Sequence, residues 1–242
     1  MTGWTNDAAI KRWSAMPRDV LAEMADSGDF AKRHLVNPVI LQMLGRVSGL
    51  RVLDAGCGNG YLSRMLAVRG AEVVGVEPAE ALYAFAAEQE CSRPQGIRYV
   101  QVDLCALPDL GEQFDAVVAS MVVQAIPDWR GAMRACVDAL KPGGLFVFAV
   151  NHPCFEQLWP VWRTHGEFRT HEYLATYEIE GPYGVDFHRT VSDYLNELAN
   201  LGCRLRELAE PGLGPDVAAT APVGIEAYIH LPNFMIVAAT TA

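Results

Sequence analysis

The sequence predicts an α/β domain in which a doubly wound parallel sheet carries helices on both faces. Three observations lead there. Between residues 50 and 150, short runs rich in Val, Leu and Ala alternate with longer stretches at helical spacing. A glycine bend, Gly56-Cys57-Gly58-Asn59-Gly60, joins the first such run to the first helical stretch. The chain has 242 residues, 51% of them apolar and 20% charged, which suits one domain with a sizeable core and excludes disorder.

Residues 1–46 read as a helical cap. Ala8, Ile10, Trp13, Val20, Leu21 and Met24 recur at helical spacing, with a break at Pro17. After Ser27-Gly28-Asp29 a second segment carries Phe30, Leu35, Val36, Val39, Ile40, Met43 and Leu44, and Pro38 opens a fresh turn. Residues 51–54 are the first strand and 56–60 the bend. A helix over 62–68 puts Leu62, Met65 and Leu66 on one face and is closed by Gly70. Residues 72–76, 97–102 and 114–120 are the next three strands, with a helix over 79–90 between the second and third. A helix over 130–140 stops at Lys141-Pro142-Gly143-Gly144, and 145–150 is the fifth strand. Thr190-Val191-Ser192-Asp193 has capping-box spacing, so a helix runs to Leu201 with Gly202 as its stop. Residues 204–209 and 235–240 close the chain as strands, and 211–224, rich in Pro and Gly, is a loop.

Residues 151–189 interrupt this rhythm inside what otherwise reads as a single domain over 1–242. They hold eight of the 22 aromatic residues and four of the six histidines, His152, His165, His171 and His188. A connection this long predicts a substrate lid, with Trp159, Tyr173, Tyr177 and Tyr183 lining a pocket.

The chemistry concentrates at the strand ends. Glycines at 56, 58 and 60 let the backbone approach a ligand closely, and the following helix points free N–H groups into the bend. Glu77, next to Pro78, ends the second strand, where an acid can accept both hydroxyls of a ribose. Asp103 ends the third, placed to accept from a nucleobase amino group. A dinucleotide would require G-x-G-x-x-G, but the third glycine would fall on Tyr61 or Ser63, so the fingerprint fails in both registers.

What stands here is D-x-G-x-G-x-G from Asp54, and it resembles motif I of the class I S-adenosylmethionine-dependent methyltransferases, small-molecule bacterial type. Glu77 matches that family's ribose-binding acid and Asp103-Leu104 its adenine-contacting pair. Phe114 to Val118 resembles its fourth strand, and Leu140-Lys141-Pro142-Gly143-Gly144 the turn before its fifth. The resemblance implies a Rossmann-like, seven-stranded sheet with the last strand antiparallel, S-adenosylmethionine as cofactor, and methyl transfer to a small organic molecule through O, N or C, in secondary metabolism for instance. The cofactor set it implies is Asp54, Gly56, Cys57, Gly58, Gly60, Glu77, Pro78, Asp103, Leu104 and Ser120. Asp54 is expected to orient the bend, and Ser120 to offer its carbonyl to the methionine amino group. Arg33 and Trp13 are expected to cover the cofactor from the N-terminal helices. His152 and His188 are the candidate bases, since imidazole titrates near neutral pH; hydrogen bonds that fix the lid are their other possible task.

Three other readings carry less. A net charge of −10 opposes nucleic acid as a partner. Ser120-Met121-Val122-Val123-Gln124 also lacks the D/N/S-P-P-Y/F pattern of amino-directed nucleic-acid enzymes. A nicotinamide oxidoreductase is disfavoured by the broken fingerprint, and a non-catalytic adenosyl-ligand binder remains as the non-enzymatic alternative. Six scattered cysteines without C-x-x-C predict no disulfide framework and no metal site. No signal peptide or apolar run of membrane length is visible, so a cytoplasmic protein is expected, without membrane contact. The acceptor and the oligomeric state stay open at this point.

Overall fold

The structure is a computed structural model describing residues 3–111, 113–170, 172–222 and 224–242. His171 lies outside the described residues.

The N-terminal segment comprises α1 (Asn6–Trp13), α2 (Arg18–Glu23), a π-helical turn over Lys32–Val36, and α3 (Asn37–Leu44). Then come β1 (Arg51–Ala55), α4 (Tyr61–Val68), β2 (Glu72–Val76), α5 (Glu80–Ser92), β3 (Arg98–Val100), β4 (Phe114–Ser120), α6 (Trp129–Asp138) and β5 (Leu140–Asn151). The 151–189 insert contains α7 (Leu158–His165) and a hairpin of β6 (Glu178–Glu180) with β7 (Val185–Phe187). After it come α8 (Val191–Asn200), β8 (Arg204–Ala209), the short α9 (Pro215–Ala218) and β9 (Phe234–Thr240).

The seven-stranded sheet has the order β3-β2-β1-β4-β5-β9-β8. Strands β1 to β5 pair in parallel, and β9 runs antiparallel to both β5 and β8. The chain leaves β1 toward β2 on one side and reaches β4 on the other, so a crevice opens between the carboxyl ends of β1 and β4. Side chains alternate across the sheet. Val52, Ala116, Val118, Val147 and Ala149 pack with α3 and α4 on one face. Leu53, Val117, Phe146, Phe148 and Val150 pack with α6 and α8 on the other. Each fully buried side chain of this size contributes about 1.5–3 kcal/mol of transfer free energy.

Three boundaries differ from the sequence reading. Strand β3 stops at Val100, two residues early. The Lys-Pro-Gly-Gly segment is not a separate turn. Leu140 already pairs with Phe114, and the pairing resumes at Ala116 with Leu145, so the segment bulges within β5. The 211–224 loop contains α9. The capping box of α8 is present as expected: Thr190 Oγ accepts from the Asp193 amide, and the Asp193 carboxylate accepts from the Thr190 amide.

Candidate active site

One cavity of about 580 Å³ lies over the carboxyl ends of β1 to β5, beneath the N-terminal helices and the insert. It falls in the range usual for small-molecule sites. The bend forms its floor. Gly56 has φ +74°, and a Cβ there would lie 2.5 Å from Val122. Its amide and that of Cys57 donate to the Val76 carbonyl at 2.8 and 2.9 Å, tying the bend to β2. Cys57 lines the cavity, and burial pushes its thiol pKa up.

The acids behave differently from one another. Asp54 accepts from Ser63 Oγ at 2.6 Å, which anchors the first turn of α4 to β1; burial raises its pKa to about 6. Glu77 is buried, and its two oxygens accept from the Gly58 and Ala79 amides at 3.0 and 2.8 Å. Each oxygen keeps a second lone pair for a ligand. Burial lifts the Glu77 pKa to about 7, although both amides pull it down. Asp103 accepts from the Cys105 amide at 3.0 Å and from Asn6 Nδ2 at 2.9 Å. Asn6 is a residue the sequence reading missed: its Oδ1 also accepts from the Asp128 amide, so α1 is pinned across the end of β3.

Pro78, Leu104, Ser120, Trp13 and Trp159 also line this cavity. Four buried side-chain polar atoms among the described residues have no hydrogen-bond partner, and three of them, Trp13 Nε1, Ser120 Oγ and Gln124 Oε1, belong to cavity-lining residues. Leaving each unpaired costs about 1–3 kcal/mol. A polar ligand seated among them would remove that cost, so the cavity fits a cofactor with amino, hydroxyl and carboxylate groups. Beyond Ser120, Met121 turns the chain at φ +61°, a left-handed conformation uncommon for a side chain of that size.

Other expectations need correction. Arg33 does not reach the cavity; it is exposed, and its Nε donates to Ser27 Oγ at 2.9 Å. Gly60 is needed for its φ of +76° and its contact with Tyr99, not as a cavity wall. His152 does not face the crevice. Its Nδ1 accepts from the Cys154 amide, so Nε2–H donates to Glu210, at 2.5 Å. His188 is buried with both nitrogens engaged: Nε2 donates to the Tyr173 carbonyl at 2.8 Å, and Nδ1 lies 2.7 Å from Glu156. Both ring nitrogens are thus occupied by protein partners, and neither is presented to the cavity. Burial opposes a charge on the ring, but the bonds to Glu156 and Tyr173 outweigh it and raise the His188 pKa. Tyr173, Tyr177 and Tyr183 are likewise not in the cavity wall. Tyr173 accepts from the Val191 amide, and Tyr177 stacks on His188 and donates to Glu156. These residues brace the insert. Residues the sequence reading missed, Asn151, Asp186, Ile225, Tyr228 and Phe234, form the cavity's far wall. Asn151 is a strand-end residue and was open to the rule that found Glu77; the others carry no local signal except the V-D-F alternation around Asp186. Among the described residues no group of three or more His, Cys, Asp or Glu could hold a metal ion.

The sequence itself matches known proteins. A methyltransferase-domain family model matches residues 53–148. A ubiquinone biosynthesis O-methyltransferase of Rhizobium etli is 30% identical over 218 residues, covering 79% of this chain and 87% of that protein. This chain belongs to the class I S-adenosylmethionine-dependent methyltransferases. Among other relatives of this methyltransferase, the ubiquinone biosynthesis O-methyltransferase of Alkalilimnicola ehrlichii is 33% identical over 148 residues, 59% of this chain and 56% of that one. The chain thus spans about half the length of several relatives that it matches. The crystal structure of an S-adenosylmethionine-dependent methyltransferase from Mesorhizobium loti superposes with a TM-score of 0.73 at 28% identity, over 88% of this chain and 98% of that one. S-adenosylmethionine is the cofactor of the class. No described helix is long and apolar enough to cross a membrane.

Proposed function

We propose that this methyltransferase moves a methyl group from S-adenosylmethionine to a hydroxyl oxygen of a small, largely apolar molecule. The observation that carries the reading is the cavity over the strand ends, which runs from the glycine bend and two acids to a wall containing Trp159, Ile225, Tyr228 and Phe234. Oxygen as the acceptor atom is supported by the relatives, which are O-methyltransferases.

In this reading Glu77 takes the ribose hydroxyls, and Asp103 takes the adenine amino group, flanked by Pro78 and Leu104. The amides of Gly56, Cys57 and Gly58 and the Ser120 carbonyl surround the methionine end. Asp54 acts through Ser63 to hold the bend, and Trp13 roofs the cofactor. Residues 1–46 serve as a cap and 151–189 as a substrate lid. The two are joined by Arg12, which donates to Glu180 and to the Gly181 carbonyl, and by Trp13, whose ring packs on Gly184. When bound, S-adenosylmethionine supplies a methyl already activated on a sulfonium. The protein's share is to position the acceptor in line and to exclude water. Nucleic acid is not the acceptor in this reading, given the charge of −10. The six unpaired cysteines suit a reducing cytoplasm.

Incubation with methyl-labelled S-adenosylmethionine and a panel of apolar phenols, alcohols and amines tests the proposal. Label is expected on the hydroxyl compounds and not on the amines. Tight cofactor binding with no label on any acceptor would leave a binder rather than an enzyme.

A further inference from the structure

We infer that Asp186, held by Asn151, is the catalytic base that takes the proton of a hydroxyl acceptor. This rests on the methyl-transfer reading above. Asp186 lies in β7 between Val185 and Phe187, which are both buried against Ala9 of α1 and Trp4. Strand alternation turns the Asp186 side chain to the opposite side, where it meets Asn151. Asn151 Nδ2 donates to Asp186 Oδ2 at 3.0 Å. Among the described residues Oδ1 has no hydrogen-bond partner. Both residues line the cavity.

Their position in the sheet places them on the acceptor side. Asn151 ends β5, which pairs with β4, whereas Glu77 and Asp103 follow β2 and β3 across the crevice. The cavity lining also includes Trp159, Ile225, Tyr228 and Phe234, together with the polar Asn233 and Lys32. Of the other cavity-lining carboxylates, Asp54, Glu77 and Asp103 lie at the ends of β1, β2 and β3, on the cofactor side in this reading, and Asp29 is held by Lys32. Neither His152 nor His188 faces the cavity.

Burial raises the Asp186 pKa to about 6, and the charge of Glu156 adds to the rise, while Arg189, Lys32 and the Asn151 hydrogen bond oppose it. In the step, a hydroxyl lone pair forms the O–C bond while the S–C bond breaks and leaves its electron pair on sulfur. The sulfonium becomes a neutral thioether, the hydroxyl proton moves to Asp186 Oδ1, and it is then released to water.

The test uses the full chain, S-adenosylhomocysteine and tert-butylcatechol as probe. Asp186→Asn is expected to bind S-adenosylhomocysteine within about twofold of wild type. In wild type saturated with S-adenosylhomocysteine, the catechol should bind about fivefold more tightly at pH 7.5 than at pH 5, because an ionised carboxylate is the better acceptor; in Asp186→Asn that dependence should vanish. Turnover should fall about 100-fold or more and lose its rise through pH 6. If Asp186→Asn does not fold, Asp186→Glu is expected to lower kcat while keeping that rise. Intact S-adenosylhomocysteine binding together with wild-type turnover and pH profile in Asp186→Asn would overturn the assignment. So would methylation of amines but not of the catechol. A wild-type protein that binds no S-adenosylhomocysteine would instead defeat the methyl-transfer reading itself.

Discussion

The two halves of the cavity are built from different materials. The half over β1, β2 and β3 is backbone and acid: amides of the bend, Glu77 and Asp103, each already hydrogen-bonded by the protein. The half beyond β5 combines the side chains of Ile225, Tyr228 and Phe234 with Asn233 and the amide–carboxylate pair Asn151 and Asp186. The first half is built on consecutive strand ends. The second exists only because β9 pairs with β5 and the β6–β7 hairpin docks on α1. A cofactor shared by many enzymes suits a fixed backbone cradle, whereas an acceptor particular to one enzyme suits a wall made of exchangeable side chains.

That contrast can be broken at several points. The largest effect is expected at Gly56→Val, where a side chain at φ +74° must enter the space of Val122. It should cost about 3 kcal/mol of stability from strain and lower S-adenosylhomocysteine affinity about 100-fold, as measured by denaturant unfolding and calorimetry. Next, His188→Ala leaves Glu156 buried without its ion-pair partner. It should destabilise the fold by about 3 kcal/mol while leaving S-adenosylhomocysteine affinity within about twofold; a large loss of affinity with unchanged stability would mean that the insert does not need this brace.

A third effect concerns pH. Asp54, Glu77 and Asp186 have folded pKa values raised to about 6, 7 and 6. A raised carboxylate favours folding while it is protonated, so this contribution is complete below its ordinary value near 4 and is lost as pH rises through 6 to 7. His188 is raised as well, and its contribution also fades as pH rises through its folded value. The ligand-free protein should therefore have a Tm about 5 °C lower at pH 7.5 than at pH 5, and Glu77→Gln should flatten part of that slope in a thermal melt series. The smallest effect is Arg33→Ala: an exposed residue outside the cavity should change stability by no more than about 0.5 kcal/mol and leave cofactor affinity unaltered.

The same contrast explains what could be read from sequence. Residues 51–120 present each strand with its terminal acid or glycine in one contiguous stretch, so Asp54, Glu77 and Asp103 announce themselves by position. The far wall gathers Asn151, Trp159, Asp186, Tyr228 and Phe234 from places scattered over more than eighty residues. No local spacing marks such a set, because long-range pairing of β9 with β5 creates it. The histidines show the limit from the other side. His152 follows β5 directly, yet strand-end position does not fix side-chain direction, and its ring turns to Glu210. Similarly, an aromatic-rich insert signals function, but Tyr173 and Tyr177 are spent on holding it together.

Calorimetric titration of S-adenosylhomocysteine into the wild-type chain and into Glu77→Ala tests the account most directly. One molecule should bind per wild-type chain, and the variant should lose about 1–3 kcal/mol of binding free energy along with its hydrogen bonds to the ribose. No binding heat with the wild type, or equal affinities for the two chains, would contradict it.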